Sequence, residues 1–256
     1  MAVTIAPARA ANGKSVDRML TAAPGAADPE LPRSHAELFK RRVASPSIRR
    51  MLGAAVESFA KKGFHASTTR DIAAKAKLSP AAVYMHFSAK EQILYAIAVI
   101  VAEWVLEELE KAKQGEGTAA ERLHRLVRTH VACHASMHTA VHVANFEFQA
   151  LETAQRRKVI RIRDATEQVI FDCLKDGAAR GEFRGDELRL LTITVLSLGV
   201  SVSRWFSPSG HLTPLQLGEF YASLVARLVA KESSSSPVAD TALVALGDLR
   251  KAPAPR

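Results

Sequence analysis

The chain of 256 residues is long enough for one or two domains with a sizeable core, and only 6% of its residues are aromatic. Its two cysteines, Cys133 and Cys173, match no metal-binding or redox spacing, which indicates a reducing compartment. No apolar run approaches the roughly 18 residues of a membrane span and the N-terminus lacks the pattern of a secretory signal, so we expect a cytoplasmic protein without membrane contact.

The net charge of +9 is concentrated in one short part of the chain. Residues 40–91 contain 11 Lys/Arg and three Asp/Glu, whereas residues 92–230 contain 16 of each. A basic segment beside a neutral one is typical of proteins that bind a polyanion such as DNA, and the alternative is a solvated basic face. Within the segment, Lys40, Arg41 and Arg42 either reach an adjacent minor groove or form a flexible basic linker.

Ala and Leu recur at helical intervals along most of the chain, and few stretches alternate apolar and polar residues, so we predict an all-α fold. Residues 1–44 and 232–256 lack sustained periodicity, and we predict disordered tails there. Order begins at Ser45, a cap residue, with Pro46 at the first helical position. Gly63 is placed to end this first helix.

Three helix-start signals follow closely, so the helices between them must be short. They are Thr68 with Asp71, Ser79 with Pro80, and Ser88 with Glu91, the first and third having the spacing of capping boxes. Residues 68–75 and 80–87 therefore form two short helices joined by a tight turn and braced by the first helix, which predicts a helix-turn-helix. The second of the pair can enter the major groove of double-stranded DNA.

The rest of the chain predicts longer amphipathic helices: about 89–112, 119–151 with one break, 155–179, 186–206 and 213–231. Thr213 and Gln216 form a capping box, with Pro214 at the first position of the last helix. We assign residues 45–92 to a three-helix DNA-binding domain and residues 93–231 to a larger helical domain.

Side chains of the predicted helix-turn-helix divide into a buried and an outward set. Phe87 is predicted to be a buried plug, while Tyr84 and His86 point outward and donate hydrogen bonds to phosphates. Lys90 follows the Ser88 cap and adds a cation at a helix N-terminus, which favours anions. The predicted DNA-binding residues are Thr68, Thr69, Arg70, Ser79, Pro80, Ala81, Ala82, Tyr84, His86 and Lys90.

The segment FAKKGFHASTTRDIAAKAKLSPAAVYMHFSAKEQIL, within residues 49–94, resembles the N-terminal DNA-binding domain of the TetR family of bacterial repressors, also called TetR/AcrR. That family usually has Gly where Lys77 stands, and often at Ala81, so Lys77 carries a cost if the turn needs a positive φ. The resemblance implies an obligate homodimer in which the last two helices form a four-helix interface. It also implies a ligand cavity in the C-terminal domain and release from DNA when the ligand binds.

The segments ANFEFQALE, RRKVIRIRD, GAARGEF and SRWFSPSGHLTPLQLGEFYASLV are similar to a subgroup that includes repressors of fatty-acid and steroid catabolism, which respond to acyl-CoA thioesters. A CoA ligand needs cations for its phosphates and an apolar slot for its acyl chain. The candidate ligand-binding residues are Phe146, Phe148, Arg161, Leu196, Val200, Arg204 and Trp205. The alternative is that the apolar set is ordinary core and the basic set a solvated helix face.

Four histidines recur every four residues, from His130 through His134 and His138 to His142, and would form a stripe on one helix. This spacing can chelate zinc, but no carboxylate lies within the stripe and the resemblance implies a helix break that divides it. Metal binding, pH sensing and ordinary surface or pocket lining are the alternatives. We assign no metal and no cofactor.

The chain contains no Gly-rich phosphate loop, nucleophile elbow or paired Cys/His site, which argues against an enzyme. We expect a ligand-responsive, DNA-binding transcriptional regulator: a dimeric repressor that a hydrophobic small molecule, with acyl-CoA thioesters as a candidate class, releases from its operator. An activator or a ligand-independent regulator stays open. A helical interaction module that does not bind DNA explains the confined charge less well.

Overall fold

The computed structural model describes residues 31–230, which form ten α-helices, one short 3-10 helix and, within that range, no strand. The predicted all-α class is therefore confirmed. The helices are α1 (His35–Arg42), α2 (Pro46–Lys62), α3 (Thr69–Lys75), α4 (Pro80–Tyr84), α5 (Lys90–Lys113), α6 (Ala119–Ser136), α7 (His138–Phe146), α8 (Thr153–Ala179), α9 (Leu188–Trp205) and α10 (Pro214–Val229), with the 3-10 helix at Phe148–Ala150.

α1 lies in the segment for which we predicted a disordered tail, and that prediction is wrong for residues 35–42. Ser34 caps α1, and Leu38 and Phe39 are fully buried against the core. Two large apolar side chains on one face gain enough from burial to order a short helix that has little stability of its own. The other predicted tail segments, residues 1–30 and 232–256, lie outside the described residues.

Local sequence signals place the ends of α2 and α3 as predicted. Ser45 caps α2, and Gly63 ends it with a φ of 77°, a left-handed conformation that favours glycine. At the start of α3 both bonds of the capping box form: the backbone N–H of Asp71 donates to Oγ1 of Thr68 at 3.1 Å, and the N–H of Thr68 donates to Oδ2 of Asp71 at 3.0 Å.

The predicted capping box of Ser88 and Glu91 is wrong. Ala89 is the N-cap of α5 and no side chain caps this helix. The backbone N–H of Ser88 donates instead to Oε1 of Gln92 at 2.9 Å. Because the helix begins one residue later than the box requires, the side chain that returns to Ser88 comes from Gln92.

Helices α5 to α10 enclose the C-terminal core. α5 is central, since its residues from Ile93 to Val101 are all buried, and a helix that is apolar on every side belongs inside a protein. α6 and α10 pack very closely, because a Cβ at Gly218 would lie 2.4 Å from the carbonyl oxygen of Arg128. The predicted break within 119–151 is confirmed at Met137, where α6 ends and α7 begins.

α9 corrects one expectation from the sequence, namely that no apolar stretch approaches the length of a membrane span. It has 18 residues and a mean hydropathy of 1.2, so by length and composition it is long and apolar enough to cross a membrane. In the fold it packs Leu191, Val195 and Val202 against the core. Core helices of soluble proteins pass the same test, so α9 is weak evidence for a span.

Candidate nucleic-acid interface and ligand cavity

α3 and α4 form the predicted helix-turn-helix, although α4 is shorter than predicted. Ile72, Val83 and Phe87 are completely buried, and Leu78 packs partly buried against this core. α4 ends at Tyr84 because the chain then turns, with the N–H groups of the residues at 86 and 87 donating to the carbonyl of Val83 at 3.0 and 2.9 Å. This turn places the Phe87 side chain in the core beside α4, where it is buried as predicted.

The side of the helix-turn-helix that faces away from this core is exposed, and we call it the DNA face. All ten predicted DNA-binding residues are exposed or partly exposed. Tyr84 is 55% exposed, and its hydroxyl lies 2.9 Å from Oγ1 of Thr69, so the start of α3 and the end of α4 adjoin. The side-chain oxygens of Thr68 and Ser79 accept hydrogen bonds from the first turns of α3 and α4, which orients both helices toward this face.

Met85 is a residue of the DNA face that the sequence reasoning missed. It is 75% exposed, more than any other large apolar residue in the described part of the chain. It directly follows Tyr84 at the end of α4, where an apolar side chain can contact a thymine methyl group in the major groove. The sequence spacing does indicate this position, because Met85 lies four residues after Ala81 and residues four apart share a helix face.

Lys90 has a different role from the predicted phosphate contact. Its Nζ donates to the carbonyl oxygens of Phe64, His65 and Ser67 at 2.9, 3.1 and 3.0 Å, and lies 4.4 Å from the centre of the Phe64 ring. A lysine ammonium has three donors, so all of them are used. We therefore correct the predicted role: Lys90 fastens the loop between α2 and α3 to the start of α5.

Several other cations of the basic segment are also engaged within the fold. Lys75 pairs with Glu57 at 2.6 Å, and Arg42 forms two hydrogen bonds of 2.6 and 2.5 Å with the carboxylate of Glu107. Arg42 thereby joins α1 to α5, which argues against the predicted minor-groove reach for this residue. Arg70 is exposed on α3, where its charge faces solvent.

Lys77 adopts the positive φ that the sequence analysis identified as costly for a residue other than glycine. Its φ is 55°, in the left-handed region that glycine occupies without cost. The turn between α3 and α4 therefore does need a positive φ, and Lys77 supplies it where glycine is usual in the resembling family. The side chain itself is exposed.

An inner cavity of about 130 Å³ lies inside the C-terminal helices. Apolar residues of α5, α7 and α9 make most of its wall, and its polar residues are His130, His134, Asn145, Arg163 and Thr166. Arg163 donates one hydrogen bond to the carbonyl of Ala144 at 2.9 Å and stacks 4.5 Å from the centre of the Phe148 ring. Burial lowers the pKa of Arg163 from its ordinary value, and no carboxylate within residues 31–230 forms an ion pair with it.

His130 and His134 are both almost fully buried, with ring centres 4.2 Å apart. Burial lowers the pKa of His130 to about 4, although the hydrogen bond to the carbonyl of Leu196 opposes this shift. Burial is also the main cause that lowers the pKa of His134, followed by the neighbouring His130. Both imidazoles are therefore neutral near pH 7.

The histidine stripe is divided as predicted by the break at Met137. His130 and His134 face the inner cavity from α6, whereas His142 on α7 stacks on Phe146 with ring centres 4.5 Å apart. Within the described residues no group of three His, Cys, Asp or Glu side chains is placed to hold a metal ion.

An outer groove of about 400 Å³ opens on the surface of α7, α8 and α9 beside the inner cavity. Leu196 and Val200 line both spaces and so form the wall between them. Phe146 and Arg204 also line the groove, with the Arg204 guanidinium 5.2 Å from the Phe146 ring centre.

The seven predicted ligand residues thus separate into two sets. The groove brings together Phe146, Leu196, Val200 and Arg204, and Phe148 supports Arg163. Arg161 and Trp205 are exposed and line neither space, so the structure does not bring them together with the other candidates and their ligand role stays a prediction. Helix phase accounts for this on α8, because residue 163, two positions after Arg161, is the arginine that lines the inner cavity.

A third and larger cavity, of about 680 Å³, opens between α1, the α6–α7 junction and the loop before α10. His35, His138 and His211 are among its lining residues. None of the seven predicted ligand residues lines it. The inner cavity and outer groove contain four of the seven, namely Phe146, Leu196, Val200 and Arg204.

The last two helices expose a broad apolar surface. On α9, Leu190 and Ile193 are about half exposed, and on α10 Phe220 is 55% exposed. Trp205 at the end of α9 is also 55% exposed. Several large apolar side chains exposed on two helices are typical of a protein–protein interface.

Comparison with known proteins covers both the N-terminal helix-turn-helix and the C-terminal helical domain. Residues 51–97 match the family model described as bacterial regulatory proteins of the tetR family, and residues 116–229 match the one described as tetracyclin repressor-like, C-terminal domain. A solved structure of a bacterial regulatory protein in the tetR family from Rhodococcus RHA1 is 33% identical, with a TM-score of 0.70, and the match covers 74% of this chain and 100% of that one.

Two curated relatives extend the comparison. The HTH-type transcriptional repressor KstR2 of Mycobacterium tuberculosis is 27% identical over 184 residues, which cover 71% of this chain and 92% of the relative. The solved structure of KstR2 is 25% identical with a TM-score of 0.68, and covers 75% of this chain and 98% of that one. A fatty acid metabolism regulator protein of Bacillus subtilis is 25% identical over 162 residues, 62% of this chain and 84% of the relative.

Proposed function

The chain belongs to the TetR family of bacterial regulatory proteins, which are DNA-binding transcriptional regulators and not enzymes, and we propose that it is a homodimeric repressor released from its operator by a hydrophobic small molecule. The observation that carries the proposal is the exposed DNA face of α3 and α4, which lies in the segment that holds 11 of the 35 Lys/Arg residues and only three acidic ones. We place this activity in the cytoplasm, where operator DNA is accessible.

The dimer follows from the apolar surface of α9 and α10. Two copies of Leu190 and Phe220 would bury one another in a four-helix interface. A two-fold dimer presents two copies of α4, and half-sites one helical turn apart require them to lie about 34–36 Å apart. Any ligand-induced change in that separation lowers the affinity for the operator.

The effector that we propose occupies the inner cavity and the outer groove together. The groove supplies one cation, Arg204, together with the carboxylate of Glu167, and the cavity supplies a largely apolar space behind Leu196 and Val200. An acyl-CoA thioester fits this order, since its charged part can remain at the surface while its acyl group enters the interior. The name of one relative, a fatty acid metabolism regulator protein, agrees with an acyl ligand.

A DNA-binding titration tests the proposal directly. Purified protein would be titrated onto DNA from upstream of its own coding sequence, with and without a panel of acyl-CoA thioesters and the corresponding free acids. Release by one thioester but not by its acid supports the acyl-CoA effector. Binding that no member of the panel changes leaves a DNA-binding regulator and removes this ligand class.

A matched variant separates DNA binding from ligand binding. Ala81→Glu places a carboxylate in the middle of the DNA face, so electrostatic repulsion from phosphates should remove operator binding. The substitution is exposed and far from the inner cavity, so the variant should still bind the effector. An unimpaired Ala81→Glu variant would show that α4 does not enter the groove.

A reporter experiment gives the sign of regulation. Transcription from the bound promoter should rise when the gene for this protein is deleted, if it is a repressor. A fall would identify the alternative, an activator that uses the same helix-turn-helix.

A further inference from the structure

The hydrogen-bonding state of His130 and His134 defines what the inner cavity can recognise. Nε2 of His130 lies 3.2 Å from the carbonyl oxygen of Leu196, and Nδ1 of His134 lies 2.8 Å from the carbonyl oxygen of His130. A carbonyl oxygen only accepts hydrogen bonds, so each of these ring nitrogens carries a hydrogen and donates it.

The second nitrogen of each ring therefore has no hydrogen. A neutral imidazole carries only one N–H, which leaves Nδ1 of His130 and Nε2 of His134 as acceptors. Nδ1 of His130 is buried and has no hydrogen-bond partner in the described structure. A buried acceptor without a partner is rare in folded proteins and points to a missing donor.

The packing of the ring places this acceptor away from α9. A Cβ at Gly199 would lie 2.2 Å from Cδ2 and 2.4 Å from Nε2 of His130, so this edge of the ring is pressed against α9. Nδ1 is on the other side of the same ring, and the residue lines the inner cavity. Gly199 thus holds the Cδ2–Nε2 edge of His130 against α9 and leaves Nδ1 as the edge that lacks a donor.

Arg163 contributes the opposite capability to the same cavity. Its guanidinium has five N–H donors, and the carbonyl of Ala144 takes one of them. The cavity therefore offers a cationic donor and two neutral acceptors. A carboxylate or a carbonyl would leave the His130 acceptor unpaired, and an ammonium group would be repelled by Arg163.

We propose that the part of the effector that enters the inner cavity is a short apolar group bearing a hydroxyl, whose hydrogen is donated to His130 and whose oxygen accepts from Arg163. A hydroxyl is a small neutral group that both donates and accepts hydrogen bonds through a single atom. The inference deepens the proposed function and rests on it only in taking this cavity as the effector site.

The volume limits the size of that group. An apolar protein cavity of about 150 Å³ accommodates benzene, so the 130 Å³ here suit a group of about six carbon atoms. A longer or bulkier remainder of the effector has to lie in the outer groove, beyond Leu196 and Val200. Together the two spaces describe a hydroxylated acyl group with its charged end outside.

Phenol and toluene are suitable probes, because they differ only by a hydroxyl in place of a methyl group and both match the cavity in size. Their dissociation constants would be measured by calorimetry on the full chain without DNA. Toluene is the more apolar molecule, so a purely apolar cavity favours toluene. We expect the reverse order, with phenol bound at least about tenfold more tightly, because only phenol satisfies the buried acceptor.

Variants assign the preference to the proposed residue. His130→Leu removes the acceptor and should make toluene the better ligand, and Arg163→Met, which removes the donor to the hydroxyl oxygen, provides a second test if the first variant folds poorly. Thr192→Val is the control, since Thr192 is completely buried on α9 but does not line the inner cavity, and its preference should equal that of the parent protein.

Three results would overturn the inference: toluene bound more tightly than phenol by the parent protein, a phenol preference that survives both His130→Leu and Arg163→Met, or binding of neither probe up to its solubility. The first would mean that a water molecule, not a ligand hydroxyl, satisfies His130. Because the measurement contains no DNA, a protein that prefers phenol but stays on its operator would retain this inference and lose the proposed effector response.

Discussion

Oε1 of Glu147 accepts a hydrogen bond from the backbone N–H of Phe64 at 3.1 Å, across 83 positions of the chain. Glu147 directly follows Phe146, which lines the outer groove, while Phe64 belongs to the loop between α2 and α3. The carbonyl of Phe64 also accepts from Lys90. One side chain therefore joins the end of α7, beside the groove, to the loop that precedes α3.

Glu147→Leu should destabilise the protein by about 1–3 kcal/mol, because Phe64 is buried and its N–H would lose its partner. The same variant should bind operator DNA more weakly, since the loop before α3 is no longer fixed to α7. Urea denaturation and a DNA titration measure the two effects. Glu147→Gln retains an acceptor oxygen and is the matched control; if it is as impaired as the leucine variant, charge rather than the hydrogen bond is responsible.

Lys90→Met should lower the free energy of unfolding by about 2 kcal/mol, because hydrogen bonds from a charged donor to three carbonyls are lost. The slope of log K against log salt for DNA binding should stay unchanged, since no phosphate contact is removed. Lys61→Met, which removes an exposed positive charge from α2, is the control. A slope that falls by about one for Lys90→Met would restore the phosphate contact that the sequence predicted.

Lys77→Gly should stabilise the protein by about 0.5–1 kcal/mol. The left-handed conformation at φ 55° costs a non-glycine residue about 1–2 kcal/mol, and the greater freedom of glycine in the unfolded chain cancels part of the gain. The midpoint of urea denaturation reports the change. Loss of stability would mean that contacts of the Lys77 side chain outweigh the backbone strain.

The sequence predicted those parts of the structure that depend on local rules. The caps at Ser45 and Thr68 and the left-handed Gly63 follow from short-range geometry, and each is present. The role of Lys90 could not be predicted, because it depends on three carbonyls that lie more than 20 positions away. The inward position of Arg163 likewise depends on the rotational phase of α8, which periodicity alone fixes only to within a residue or two.

The order in α1 was missed for a related reason. Composition predicted disorder before Ser45, but Leu38 and Phe39 find a buried site on the folded remainder of the chain. A segment of eight residues has too little intrinsic helicity to be recognised without its tertiary partner. Tertiary contacts, not local propensity, determine the order of such a segment.

Acidification from pH 7 to pH 5 should destabilise the protein, because His130 is kept neutral in the native state. Its pKa is about 4 when folded and 6.5 as the unfolded reference, so the unfolded chain binds the extra proton between these values. The stability contribution is complete above pH 6.5 and is lost as the pH falls toward 4. Protonation linked to His130 should lower the free energy of unfolding by about 2 kcal/mol at pH 5 relative to pH 7. The lowered pKa of His134 acts in the same direction.

Urea denaturation at a series of pH values measures this dependence. His130→Leu should reduce the slope between pH 6.5 and pH 4, whereas Asp71 and Asp176, whose pKa values are lowered by hydrogen bonds, affect stability only at lower pH. An unchanged slope in His130→Leu would mean that the imidazole is not held neutral by burial.

Gly199→Ala should cost about 1–3 kcal/mol of stability, because the new Cβ would lie 2.2 Å from the His130 ring and force it to move. The shift should also weaken the binding of any ligand that hydrogen-bonds His130. Denaturation and calorimetry provide the two readings. Gly53→Ala on α2 is the control, because a Cβ there would meet nothing nearer than 3.9 Å, and an equal loss in both variants would remove the special role of the α6–α9 contact.

Phe220→Asp should convert the dimer into a monomer and reduce operator affinity by at least tenfold, since it places a charge within an apolar surface that a second copy is proposed to cover. Light scattering coupled to gel filtration measures the mass, and a DNA titration measures the affinity. Ile160→Asp is the matched control, because Ile160 is 42% exposed on α8 and outside the surface of α9 and α10. If Phe220→Asp remains dimeric while Ile160→Asp becomes monomeric, the interface lies on α8, and the spacing of the two α4 helices must be derived from that arrangement instead.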